Sequence, residues 1–91
     1  MYYIVYVLYS LKAKNLYVGC TNNVEDRVKR HNNGYVQSTK HRVSLYLIHT
    51  ETFQNKSDAF NRKRFLKSLW GSREKKKMKE KFLKENKERQ N

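Results

Sequence analysis

The chain opens on an unbroken apolar and aromatic run from Tyr2 to Tyr9, Y-Y-I-V-Y-V-L-Y, bounded by the polar segment Ser10 to Asn15. Its length and its β-branched and aromatic content predict a buried strand. Leu16 to Cys20 is a second short run, close enough to fold back as an antiparallel hairpin partner. Asn22 can then cap a helix by accepting the N3 amide of Glu25, and the helix is predicted to end near Asn33, with Gly34 as its left-handed terminator. Val43 to Phe53 returns to alternation, with Val43, Leu45 and Leu47 on one side and Tyr46 and Ile48 on the other, as in a third strand. Ser57 opens a second helix to Trp70, and Gly71 and Ser72 break the chain before a lysine-rich helix from Arg73 to Arg89. That last helix has only Met78, Phe82 and Leu83 as apolar residues, so it is expected to dock through Met78 and Phe82 and to fray at its end. The fold class that follows is α+β, a small three-stranded antiparallel sheet flanked by helices in the order β-β-α-β-α-α. One domain is expected over residues 1–91, with a core at 2–70 and a basic C-terminal helix at 72–89.

Composition narrows the function. The 91 residues carry 21 Lys and Arg against 8 Asp and Glu, a net charge of +13, with 37% hydrophobic and 13% aromatic residues. Seven tyrosines are uncommon in disordered chains, so the charge is expected on a folded body. No apolar run approaches the roughly 18 residues of a membrane span, and the N-terminus has neither the basic region nor the cleavage site of a leader. A cytoplasmic protein without membrane attachment is the expectation. Cys20 is the only cysteine, which excludes an internal disulfide and a cysteine-built zinc site. Charge of this sign and density points to a polyanion, nucleic acid before an anionic membrane surface. From Arg62 onward there are 13 basic and 4 acidic residues, so nine of the thirteen excess charges lie in the last third.

Two constellations carry candidate chemistry. On the first predicted helix Val24, Arg27, Val28 and His31 stand at i, i+3, i+4 and i+7, one stripe facing the sheet. An arginine and a histidine on that stripe fit either a site beside the core or a snorkelling arginine next to a satisfied histidine. If the hairpin places Tyr9 opposite Leu16, then Tyr6 faces Gly19 and Tyr17 faces Leu8, so both phenols emerge on one face and Gly19 leaves room above Tyr6. Phenols, a guanidinium and an imidazole gathered there resemble a phosphate site.

These same residues resemble the GIY-YIG nuclease domain. Ile4-Val5-Tyr6, Tyr17-Val18-Gly19 and Arg27, eight residues after that glycine, carry the likeness, which extends from Tyr2 to about Trp70. The chain is most similar to the small single-domain members, relatives of the nuclease domain of the repair excinuclease and of homing endonucleases. The resemblance implies Tyr6, Tyr17, Arg27 and His31 as catalytic residues: the tyrosines activating or holding water, Arg27 stabilising the pentacovalent phosphate and His31 in support. It also implies magnesium or manganese on a glutamate of the later helix. Family members read approximately A-x-x-R-E-K-x-I-K where this chain reads Ala59-Phe60-Asn61-Arg62-Lys63-Arg64-Phe65-Leu66-Lys67, so Lys63 stands at the metal position. Asp58 and Glu74 are too far round or along a helix to replace it. Lys63 shares an i, i+4, i+7, i+11 stripe with Ala59, Leu66 and Trp70, which agrees with that alignment.

Two functions are therefore expected in competition. One is metal-dependent phosphodiester hydrolysis of DNA. The other is a catalytically inactive module of the same fold, binding DNA, or RNA, through Arg27, Lys63, Lys67 and the run Lys75, Lys76 and Lys77.

Overall fold

The computed structural model describes the backbone of residues 2–89 and side chains through Asn86. Its elements are β1 (Tyr3–Ser10), β2 (Asn15–Thr21), α1 (Val24–Asn32), β3 (Leu45–Phe53), α2 (Lys56–Lys67) and α3 (Ser72–Arg89), with single 3₁₀ turns at Lys40–Arg42 and Leu69–Gly71. The expected β-β-α-β-α-α order is observed. The fraying expected at the end of α3 falls beyond the described side chains.

The sheet order is β2-β1-β3, antiparallel throughout. β1 is thus the central strand, with helices on both faces. Val5 and Val7 pack with Val18, Ala59 and Leu66 on the α2 face, while Tyr6 and Leu8 pack with Leu45, Val24 and Val28 on the α1 face. Burial on both faces is why the Tyr2 to Tyr9 run has no polar alternation, and each such aliphatic side chain contributes about 1.5–3 kcal/mol. The hairpin register is the one expected: Tyr6 opposite Gly19, Leu8 opposite Tyr17, Tyr9 opposite Leu16. A tight connection closes it, with the Lys14 amide donating to Ser10 O at 2.7 Å and the Ala13 amide to Ser10 Oγ at 2.9 Å.

Four local expectations are corrected. The α1 cap is Asn23, one residue after Asn22: its extended backbone lets Oδ1 accept the Asp26 amide at 3.1 Å. The α2 cap is Asn55, whose Oδ1 accepts the Asp58 amide at 2.8 Å, so Ser57 lies inside the first turn. β3 starts at Leu45 and contains a bulge. Leu8 pairs with Leu47 and Val7 with His49, which leaves Ile48 as the extra residue and reverses the alternation beyond it. Finally, α2 stops at Lys67 because Ser68 is extended, so the stripe of Ala59 and Leu66 ends there and Trp70 is 83% exposed. Gly34 does terminate α1 with φ +79°.

α3 docks as expected. Met78 joins the Val5 cluster, and the Phe82 ring lies 5.7 Å from Tyr9 and 6.0 Å from Tyr46. Arg62 ties three elements together, donating to Glu51 of β3 at 2.7 and 3.0 Å and to Glu74 of α3. Its hydrogen bonds hold the Glu51 carboxyl below the usual carboxylate range against the opposing effect of burial. Among the described residues no helix is long and apolar enough to cross a membrane.

The long connection from α1 to β3 is pinned at its far end by Asn32, whose Nδ2 donates to Leu45 O at 3.0 Å and whose Oδ1 accepts from Leu45 N at 2.7 Å. Asn32→Ala removes both bonds and is expected to cost about 1–2 kcal/mol. Asn33→Ala, at the helix end beside it, should cost less than half as much. Urea unfolding of both variants measures the difference, and equal losses would remove the clamp from the account.

Candidate functional site

The candidate site forms where the α1 stripe meets the β1–β2 hairpin. Tyr6 (1% exposed) and His31 (0%) lie together there, with Tyr6 Oη 2.9 Å from His31 Nε2 and His31 Nδ1 2.7 Å from Thr39 Oγ1. The Thr39 hydroxyl donates in a long 3.5 Å contact to Val36 O. That ordering assigns the proton to Nδ1 of His31 and leaves Nε2 to accept the Tyr6 phenol proton. The half-buried Tyr17 closes the group, its ring centroid 4.9 Å from His31 and 6.2 Å from Tyr6. Gly19 makes the arrangement possible, because a Cβ there would overlap the hydroxyl and Cζ of Tyr6. The motif glycine therefore serves the tyrosine across the hairpin from it.

Burial, first, and then Arg27 and Arg42 lower the His31 pKa to about 4, so the imidazole is neutral at pH 7. Burial also pushes the Tyr6 phenol well above its ordinary value, helped by Tyr17 and opposed by Arg27. Tyr6 is therefore protonated at neutral pH and donates to His31, an arrangement poorly suited to removing a proton.

Around this group the charge is of one sign. Burial raises the pKa of the half-buried Cys20 thiol of β2, while the charges of Lys63, Lys56 and Arg27 act in the opposite direction, and Lys56 and Lys63 share the Phe60 ring, 5.3 and 4.7 Å from its centroid. Lys67 Nζ lies 5.5 Å and the Arg42 guanidinium 5.8 Å from the Tyr17 ring centroid. Arg42 is engaged by Asn15 Oδ1 and Ser38 O, both at 3.0 Å. Arg27, Lys56, Lys63 and Lys67 form no ion pair among the described residues. β2 is an edge strand, so these cations border an open flank of the sheet.

Of the residues picked from the sequence, Tyr6, Tyr17, Arg27, His31, Lys63 and Lys67 converge here. No described contact joins Lys75, Lys76 or Lys77 to this group: α3 lies over the ends of β1 and β3, with Phe82 on Tyr9 and Tyr46 and Lys79 Nζ donating to Lys14 O at 3.2 Å. Lys56, Arg42 and Thr39 were missed. Arg42 and Thr39 belong to the connection between α1 and β3, where no periodicity assigns a direction to a side chain, and Lys56 looks like an ordinary surface lysine before a helix.

The donor set does not fit magnesium or manganese. These ions take carboxylate and other oxygen ligands, and the position that would supply one carries the ammonium of Lys63, 4.7 Å from the Phe60 ring centroid. Glu74 is occupied by Arg62, and Asp58 accepts from Asn55 Nδ2 at 2.8 Å. Among the described residues no three of His, Cys, Asp and Glu are grouped to hold a metal.

The buried neutral His31 has a consequence for stability. Its pKa is lowered on folding, so the unfolded chain takes up a proton near pH 6.5 that the folded chain resists until about pH 4. Stability is full above about pH 6.5 and falls through that window, by roughly 2 kcal/mol at pH 5. Urea unfolding at pH 7.5 and pH 5 is expected to show the loss, and His31→Gln should flatten it. A wild-type profile already flat over that range would mean that His31 stays free to protonate.

The comparisons with known proteins agree with this geometry. Residues 2–91 match the family described as GIY-YIG catalytic domain. The chain is 42% identical over 66 residues to a UPF0213 protein of Clostridium perfringens, covering 71% of this chain and 70% of that one. It is 46% identical over 66 residues to a UPF0213 protein of Natronomonas pharaonis, covering 71% and 76%. Its fold is similar to the solution NMR structure of a UPF0213 protein from Bacillus halodurans, with a TM-score of 0.51, 28% identity and 81% of each chain covered. With a family match of that span and relatives at that identity, the chain belongs to the GIY-YIG catalytic-domain family and groups there with the UPF0213 proteins.

Proposed function

We propose that this protein binds nucleic acid, DNA in the first place and RNA as the alternative, through backbone phosphates held along the outer edge of β2 by Arg27 and Lys63, with Lys56 and Lys67 beside them. The observation that carries the reading is the gathering of cations that form no ion pair among the described residues, Lys56 and Lys63 both over the Phe60 ring and Lys67 over the Tyr17 ring of the edge strand. Like charges brought together repel, and a phosphate entering among them turns that repulsion into attraction. Arg27 presents a planar fork that matches phosphate oxygens in pairs, and Lys63 adds a point charge. The half-buried Tyr17 supplies a donor for a bound oxygen, while Tyr6, whose proton goes to His31, holds the imidazole in place. Because Lys63 stands where a metal ligand is needed, metal-dependent hydrolysis is not the activity this donor set favours.

A second reading, phosphodiester cleavage at the same place, is supported by one observation. The Tyr6–His31–Thr39 array is complete and buried, with heavy-atom distances of 2.9 and 2.7 Å. The two readings share a binding step and differ in whether a bond is broken.

Binding is expected to be strongly salt-dependent. With about four phosphate contacts the log–log slope on duplex DNA should be near −4. Arg27→Ala should lose most binding with less than about 0.5 kcal/mol change in stability, and Arg27→Lys should restore little. A large fall in melting temperature with unchanged affinity would assign Arg27 to packing. Salt-independent binding would remove the electrostatic reading altogether.

Plasmid nicking with magnesium, manganese and chelator separates binding from cleavage. The wild type is expected to leave the plasmid intact, whereas Lys63→Glu supplies an oxygen ligand and should bind manganese. Nicking by the wild type that Arg27→Ala abolishes would establish the second reading. Failure of a folded Lys63→Glu to bind manganese would separate position 63 from the metal position of the family.

A further inference from the structure

Among the described residues the two most exposed large apolar side chains are neighbours in the turn between α2 and α3, Leu69 at 91% and Trp70 at 83%. Trp70 is the only tryptophan in the chain, and tryptophan is usually largely buried. The turn that displays it is well fixed. The Ser68 amide donates to Arg64 O and Phe65 O, both at 3.1 Å, Ser68 Oγ donates to Phe65 O at 2.6 Å, and the Gly71 amide donates to Ser68 O at 3.1 Å. Gly71 is buried so closely on Phe65 O and the Leu66 backbone that a Cβ would overlap both. On the far side Glu74 is tied to Arg62. The backbone that carries the exposed indole is packed in place.

Its surroundings are cationic. No acidic residue occurs between Asp58 and Glu74, a span that contains Arg62, Lys63, Arg64, Lys67 and Arg73. Lys67, three residues before Trp70, reaches the Tyr17 ring of the candidate site at 5.5 Å. An aromatic face for an apolar plate and cations for an anion stand close together in the chain, Trp70 three residues after Lys67 and three before Arg73. A nucleotide supplies both in one unit, whereas an apolar protein or lipid surface would leave the cations unmatched.

We infer that Trp70 is a stacking platform for an unpaired base of the nucleic acid whose backbone lies at the β2 edge, an inference that rests on the binding reading above. In duplex DNA the faces of interior bases are covered by their neighbours, so the platform selects single strands, flaps, loops or ends. Because the backbone of the turn is already fixed, stacking orders only the indole side chain.

Trp70 is its own reporter, so the test is fluorescence titration of the full chain with a ten-nucleotide oligothymidylate and with a duplex of equal length. The single strand is expected to quench Trp70 emission and to shield it from iodide, and the duplex to do so much less. Trp70→Ala should weaken single-strand binding about 5- to 100-fold, Trp70→Phe should keep most of the affinity, and the melting temperature should stay within about 1 °C. Single-strand binding with unchanged emission, and undiminished in Trp70→Ala, would overturn the platform while leaving the binding function standing. Absence of binding to either form would overturn the binding function itself, and the platform with it. A blue shift that grows with protein concentration in the absence of nucleic acid, accompanied by dimers that Trp70→Ala dissolves, would reassign the turn to self-association.

Discussion

The burial of β1 on both faces organises this protein. A strand with helices above and below must present apolar atoms at every position, and Val5, Tyr6, Val7 and Leu8 are each at most 1% exposed. Because β1 is central, β2 and β3 become edges with different roles. β3 is backed by α3 and by the Arg62 network, whereas β2 remains open to solvent and carries the candidate site. Small size makes this division necessary, since a short chain buries a limited core and has one strand to place at its middle.

The site depends on a single close approach across the hairpin. Gly19 lets the Tyr6 phenol lie over the β2 backbone and meet His31, and Thr39 then receives the other imidazole nitrogen. Burial makes the imidazole neutral and the phenol a firm donor, so the interior half of the site is uncharged. The formal charge sits on its outer half, in Arg27, Arg42, Lys56, Lys63 and Lys67. That separation suits holding an anion at the surface more than moving a proton within it. Lys63 is the residue that tips the balance, because it adds charge where the family pattern places a ligand for a cation.

The same helix joins two parts of the surface. α2 contributes Ala59 and Leu66 to the core, Lys63 and Lys67 to the candidate site, and the turn that displays Trp70 beyond its end. A stripe that looks continuous from Ala59 to Trp70 is interrupted at Ser68, where the backbone becomes extended. The break converts what periodicity reads as a core residue into the most accessible aromatic ring of the region.

Element order, hairpin register, the helix stripe and the candidates Tyr6, Tyr17, Arg27, His31 and Lys63 were all legible in the amino-acid sequence. Lys63 was placed by the resemblance to the family; the rest follow from short-range regularities: alternation of two in strands, 3.6 in helices, and glycine where one side chain crosses another backbone. Long-range packing settled what those regularities do not encode. Asn23 and Asn55 won the caps because the bend of the preceding chain selects which neighbouring residue is extended. The bulge at Ile48 depends on pairing with β1, and the exposure of Trp70 on where α3 anchors. Thr39 became the partner of His31 because the connection between α1 and β3 folds back over the sheet. Contacts between residues far apart in sequence have no period, so the second nitrogen of a buried histidine finds its partner only when the chain has closed around it.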